Sequence, residues 1–283
     1  MSKRPSPAAG LRHAAHFRKL VFAVWLASVV VFLPVQVVVQ YATGTARANL
    51  PDGPLPPGDE LLILFELLGP VIVPLVLALI GGAVTLFAWS VLWHAGTVRW
   101  YLWTGGSAPV RLAEVVGHGV VWWWRYLRLA LTAAAMLALA LVTVWLPLDL
   151  LMPRVETVGS AGRVVALLWV GVGASLLAVA VCWLATLRGA WLLGEAGRRS
   201  AIVAWLRGLV GTARSPVRSG FTLALWAVPA LLFQTLPLSA GLVLPPLPGG
   251  GAGRLVAVLA TFLAAFCWVG LLLSFAPKDI SEK

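Results

Sequence analysis

Leu127–Leu148, LRLALTAAAMLALALVTVWLPL, decides the fold class of this chain. It holds one charged residue, Arg128, and follows directly on Trp122-Trp123-Trp124-Arg125-Tyr126. A run of this length matches the ~20 residues a helix needs to cross ~30 Å of hydrocarbon at ~1.5 Å per residue. In hydrocarbon each backbone N–H and C=O must be satisfied inside its own segment, so the run is helical. Indole rings favour the boundary between headgroups and acyl chains, and the tryptophan triplet therefore marks where this span begins.

Five further runs have the same character: Leu20–Thr43, Leu61–Trp93, Val164–Leu193, Phe221–Leu244 and Val256–Ala276. The second and fourth spans, Leu61–Trp93 and Val164–Leu193, are long enough that they must tilt or continue as helix beyond the bilayer. The chain of 283 residues is 60% hydrophobic and only 11% charged, with a mean hydropathy of +0.94, too little polar surface for a soluble fold of its size. The expected fold is all-α, a polytopic integral membrane protein with six transmembrane helices. Residues 1–19 form a basic cytoplasmic tail, 20–276 the six-span domain, and 277–283 a second cytoplasmic tail. Cys182 and Cys267 lie inside apolar runs and read as small core residues. Ala46-Arg47-Ala48 has the look of a signal-peptidase site, but the preceding apolar run exceeds the length of a signal-peptide core, so an uncleaved anchor is expected.

Orientation follows from the basic residues. One side collects Lys3, Arg4, Arg12, Arg18 and Lys19, then Arg99, Arg111, Arg125 and Arg128. It also takes Arg188, Arg198, Arg199, Arg207, Arg214 and Arg218, then Lys278 and Lys283. The other side has Arg47, Arg154, Arg163 and Arg254. The positive-inside bias places both termini in the cytoplasm, across a cell inner membrane. The net charge of +11 is thus a topology signal. A nucleic-acid partner would call for a soluble basic domain with an aromatic platform, which the sequence lacks.

The two long inner gaps each predict a short amphipathic helix lying in the cytoplasmic headgroup layer. In one, Ile202, Trp205, Leu206, Leu209 and Val210 form an apolar stripe opposite Arg199, Arg207, Arg214 and Arg218. In the other, Leu112, Val115, Val116 and Val120 lie opposite Arg111, His118 and Arg125. Ser107 and Ser200 are the expected N-caps. Anionic lipid headgroups are the expected contacts of Arg111, Arg125, Arg199, Arg207, Arg214 and Arg218. A shift of 93 residues lays Gly96 on Gly189, Ser107 on Ser200, Ala108 on Ala201 and Arg125 on Arg218, which predicts two parallel span–inner helix–span repeats.

Gly194–Gly208, GEAGRRSAIVAWLRG, resembles the inner segment of six-helix bacterial membrane proteins, a group that includes the membrane domain ahead of some glycerophosphodiester phosphodiesterases. The resemblance implies a membrane module and brings no active site with it, because the catalytic domain is not in this sequence.

Chemistry-bearing patterns are sparse. His13-x-x-His16 has no neighbouring Cys, Asp or Glu, and no cofactor motif occurs. Gly173-Ala174-Ser175 opens like a nucleophile elbow but sits mid-span, where no strand-to-helix turn exists. Ser90 and His94 are an i, i+4 pair, a spacing that also suits a serine bonded to its own helix. The stronger polar feature is Gln36, Gln40, Glu66 and Gln234, all in the outer half of the spans and flanked by Pro70, Pro74, Pro229 and Pro237. Together they define a candidate outward-facing vestibule. The expected function is a non-enzymatic membrane module, without metal or cofactor, that binds lipid or partner proteins as an accessory to export or envelope assembly. A homo-oligomer or a second membrane protein is the expected protein partner. The alternative is a transporter or permease subunit.

Overall fold

The computed structural model describes residues 17–26, 29–30, 60–105, 110–157, 161–195, 200–243 and 251–276; within its helices the side chains of 60–71, 74–75, 78–79, 153–157, 161, 234–243 and 251–257 fall outside the description. Among the described residues every regular element is a helix. They run α1 (18–26), α2 (Glu60–Thr104), α3 (Leu112–Thr157), α4 (Ala161–Glu195), α5 (Ala201–Ala213), α6 (Pro216–Val243) and α7 (Gly251–Ser274). The chain divides into two compact units, residues 1–22 with 91–283, and residues 23–90.

Unit 23–90 is described mainly through the first two-thirds of α2, which stays helical past Pro70 and Pro74. Val73, Leu77, Ile80 and Val84 stand exposed along it. The Thr85 and Ser90 hydroxyls donate to the carbonyls of Gly81 and Phe87, both at 2.8 Å, as polar side chains in an apolar helix must do.

In the larger unit, three helical stretches are long and apolar enough to cross a membrane: Leu112–Met152, Gly162–Glu195 and Pro216–Phe233. Only 6% of the most apolar window of each of the first two is buried. Leu139, Val142, Leu150, Trp169, Val170, Leu176 and Leu177 all point outward. Outward leucines and valines on this scale are stable only in hydrocarbon, so the chain is a membrane protein. Parts of the first and second expected spans, and the side chains at the start of the sixth, lie outside the described residues.

α3 corrects one expectation. The basic segment from Leu112 and the third span are a single helix of 46 residues, ~69 Å long, rather than a separate interfacial helix and a span. The triplet Trp122–Trp124 marks a boundary in polarity but does not break the backbone, because no proline interrupts Leu112–Leu146 and helical hydrogen bonding continues through it. The start is at Leu112, where the Arg111 carbonyl accepts from Glu114 and Val115, while Ser107 lies outside the described residues. Likewise α2 continues past Trp93 to Thr104. α5 is the separate short helix that was expected, and Ser200 is its cap, extended at φ −61° and ψ 143°, with Oγ accepting from Val203 N–H at 3.3 Å.

The main packed pairs are α3 with α4, α4 with α5, and α6 with α7. The approaches of α2 to α3 and of α4 to α5 rely on missing side chains. A Cβ on Gly96 would overlap the Val115 carbonyl oxygen, and one on Gly208 would overlap that of Ala185 and come within 2.9 Å of Gly189 N. A Cβ on Gly119 would lie 2.6 Å from the Leu92 carbonyl oxygen. Helix backbones therefore meet directly at these points, the way small residues pack helices in lipid. At the other end of the chain's order, the Trp191 indole N–H donates to the Leu272 carbonyl at 3.0 Å and ties α4 to α7, and Cys182 and Cys267 are buried free thiols.

The faces of α5 differ from the expected single stripe. Ala204, Trp205, Gly208 and Thr212 are buried, whereas Ile202, Leu206 and Val210 are 59%, 46% and 50% exposed. Trp205 belongs with the small residues because its indole N–H donates to Thr186 Oγ1 at 3.3 Å. The helix thus has three sides: small residues on the bundle, exposed aliphatics, and Arg207. Gly208→Ala is expected to destabilise the protein by about 1–3 kcal/mol, since neither backbone can yield. Gly173→Ala, with open space at its Cβ, should be neutral or gain up to about 1 kcal/mol. Denaturant titration of helicity in detergent compares the two.

Candidate functional site

Arginine and tryptophan gather where α2 ends, α3 begins and α4 ends. Arg99, from the last turns of α2, donates from one terminal nitrogen to the Gly194 carbonyl at 2.7 Å. That carbonyl is one residue from the end of α4, where main-chain acceptors run out of partners and a cation offsets the helix dipole. The same guanidinium stacks on Trp122 at 3.9 Å, and Arg125 lies 4.5 Å from that ring. Arg128 sits 5.7 Å from Trp124. Guanidinium planes are weakly hydrated and stack well on indole, so this pairing suits the edge of an apolar layer.

The close fit around Gly194 fixes the geometry. A Cβ there would lie 2.7 Å from Leu102, 2.8 Å from Val98 and 3.1 Å from the Tyr126 hydroxyl. Tyr126 donates to the Ala190 carbonyl at 2.9 Å, one turn back along α4. Phe17 packs edge-on to Trp100 at 5.2 Å, and Tyr101 edge-on to Trp191 at 5.4 Å. Burial pushes the Tyr101 phenol up from its ordinary value, so it stays neutral here.

A second charged node holds α4 to the start of α6. Arg188 donates from one nitrogen to Ser215 Oγ at 2.8 Å and Ser219 Oγ at 2.6 Å, and its guanidinium lies 5.6 Å from the Phe275 ring. Ser219 is fully buried, and the Arg188 Nε is buried without a hydrogen-bond partner among the described residues. Among those residues no carboxylate neutralises Arg99 or Arg188. The described ion pair at this end is Arg111 with Glu114 at 3.4 Å, with the arginine side chain 75% exposed and of little energetic weight.

The expected headgroup contacts fall on this end as follows. Arg111, Arg207, Arg214 and Arg218 are exposed, Arg125 is half-buried beside Trp122, and Arg199 lies outside the described residues. Of the expected vestibule, Gln36 and Gln40 lie outside the described residues. Glu66 and Gln234 sit in α2 and α6 with side chains outside the description. His13 and His16 are also outside it. Ser175 lies mid-helix, as expected, where it donates to the Gly171 carbonyl at 2.8 Å and accepts from Trp145 Nε1 at 2.9 Å.

Arg99 and Arg188 carry structural roles that the basic-residue count passed over. Arg188 had a signal, because it stands inside the fourth apolar run, where an ionisable side chain needs a partner. The partners Ser215 and Ser219 had none, being ordinary hydroxyls, one of them next to Pro216. Ser219→Ala should cost about 1–3 kcal/mol, because the half-buried guanidinium loses its shortest acceptor. Adding Arg188→Met should recover most of that loss by removing both polar partners, as read by unfolding in detergent.

Comparison of the chain with protein-family models, with curated proteins and with solved structures gives no match.

Proposed function

We propose that this chain is a non-enzymatic, six-span membrane module of the cell inner membrane, with both termini cytoplasmic, whose arginine-rich inner end holds anionic lipid headgroups and through them a partner or a second copy. The observation that carries this reading is the three-sided α5. Its small residues lie on the bundle, Ile202, Leu206 and Val210 are exposed, and Arg207 is exposed as well. A helix with those sides belongs in the headgroup layer, with aliphatic groups dipping into acyl chains and arginine at the phosphates. Arg214 at its C-cap and Arg218 in the first turns of α6 are exposed close to it in sequence.

The start of α3 supports an equivalent role, since Val116, Val120, Val121 and Trp124 are exposed beside Arg111 and Arg128. Two parallel repeats also gain support. Under the 93-residue shift, the close pair Gly96 and Val115 becomes Gly189 and Gly208, which also meet closely. Leu92 and Gly119 become Ala185 and Thr212, both buried. A non-enzymatic role fits Ser90 and Ser175, whose hydroxyls each donate to a carbonyl of their own helix. The likeness of Gly194–Gly208 to the six-helix family points the same way.

Orientation is tested by single cysteines in a Cys182/Cys267-free background. Positions 3, 105 and 280 should be labelled only from the cytoplasm and positions 53 and 250 only from outside. Labelling of position 105 from outside reverses the assignment. For headgroup binding, phosphatidylglycerol should raise the melting temperature of the purified chain more than phosphatidylcholine does. The difference should shrink as salt rises and vanish in an Arg207→Gln, Arg214→Gln, Arg218→Gln triple variant. Equal stabilisation by both lipids would reject the arginine site.

A further inference from the structure

At the opposite end of α3 from Arg125 and Arg128, a cleft of about 410 Å³ opens between α3 and α4. Its wall is apolar, with Val142, Leu146 and Met152 from α3 and Leu168 from α4, and its one charged group is Asp149. That volume is in the ~300–1,000 Å³ range of small-ligand sites.

The cleft has a fixed wall. Trp145, which lines it, is held by the hydrogen bond from its indole N–H to Ser175 Oγ at 2.9 Å, and that serine is anchored to the Gly171 carbonyl. A Cβ on Gly171 would lie 2.6 Å from Leu148 Cδ1 and 3.2 Å from the Trp145 ring, so the glycine is what lets both side chains lie against α4.

Depth along α3 says what surrounds the cleft. Trp124 and Trp145 are 21 residues apart in one unbroken helix, ~32 Å at ~1.5 Å per residue, which is about the thickness of a hydrocarbon core. With Trp124 at one boundary, Trp145 stands at the other. Asp149 is then one turn further out among headgroups, and Val142 is one turn inside among acyl chains. No ion pair among the described residues involves Asp149.

We propose that this cleft is a binding site for a phospholipid with a primary-amine headgroup. One acyl chain lies along Val142, Leu146 and Leu168, and the headgroup ammonium meets the Asp149 carboxylate. As the one charged residue lining the cleft, the Asp149 carboxylate disfavours an anionic headgroup there and favours a cationic one, while the apolar wall accepts any saturated chain. The site is separate from the arginine end, and neither reading depends on the other.

Native mass spectrometry of the full-length protein in mild detergent tests it, with phosphatidylethanolamine and phosphatidylglycerol of identical chains as probes. Phosphatidylethanolamine adducts should be retained by the native chain. They should fall roughly five-fold in Asp149→Asn, the loss of about one interfacial ion pair, and further in Leu168→Trp, which fills the cleft. Phosphatidylglycerol adducts should be unaffected by Asp149→Asn and should fall instead in the triple arginine variant. Thermal melts establish that each variant is folded. Phosphatidylethanolamine adducts that survive Asp149→Asn unchanged, or that Leu168→Trp leaves intact, overturn the proposal. A loss confined to phosphatidylglycerol in the arginine variant bears on the inner end alone.

Discussion

Direct contact between helix backbones, at glycines that leave no side chain in the way, is the constraint on which this fold depends. In water, leucines and valines would drive the helices together by leaving solvent. In hydrocarbon they gain little from one another, and close packing has to supply the attraction. Gly96 against Val115, Gly119 against Leu92 and Gly208 against Ala185 place whole peptide groups in contact across helices. Each contact removes the freedom of the two helices to slide, because a shift of one residue would put a side chain where only a hydrogen fits. The aliphatic residues are thereby released to face outward, and in the most apolar windows of α3 and α4 only 6% of residues are buried.

The polar groups are arranged around those contacts. Arg99 reaches the end of α4 only because α2 and α4 come together at Gly194. Arg188 can lie along α5 because Gly211 has no Cβ, which would otherwise sit 2.9 Å from a guanidinium nitrogen. Neither arginine uses a described carboxylate. One is answered by a helix-end carbonyl and an indole face, the other by two hydroxyls. These partners are weaker than a carboxylate, but they leave the net positive charge intact. A belt that kept its charge by this means is suited to an anionic surface, whereas internally neutralised arginines would be silent toward it.

Much of the architecture was legible in the sequence, because helix and apolar exposure follow directly from composition and run length. Ser200 was readable as a cap from its place before an apolar stripe. The stripe itself was misassigned in part. Period alone cannot separate residues that face protein from those that face lipid, since both sets are apolar, and Trp205 was grouped with Ile202 and Leu206. The distinguishing sign was the four-residue spacing of Ala204, Gly208 and Thr212. The continuity of α3 through Trp122–Trp124 was also hidden, since a change from polar to apolar surface was taken for an end of helix. Arg99's role was out of reach, because its acceptor is a backbone carbonyl 95 residues away.

The unbroken length of α3 makes it a lever. A helix with no proline between Leu112 and Leu146 bends little, so a rotation at one end is delivered to the other. Over the ~52 Å of that proline-free stretch, each degree of tilt separates its two ends laterally by a further ~0.9 Å. The helix tilts more in a thin bilayer than in a thick one. Bilayer thickness therefore sets how far Leu112 and Leu146 are offset in the plane of the membrane, with the α4 contacts as the fulcrum.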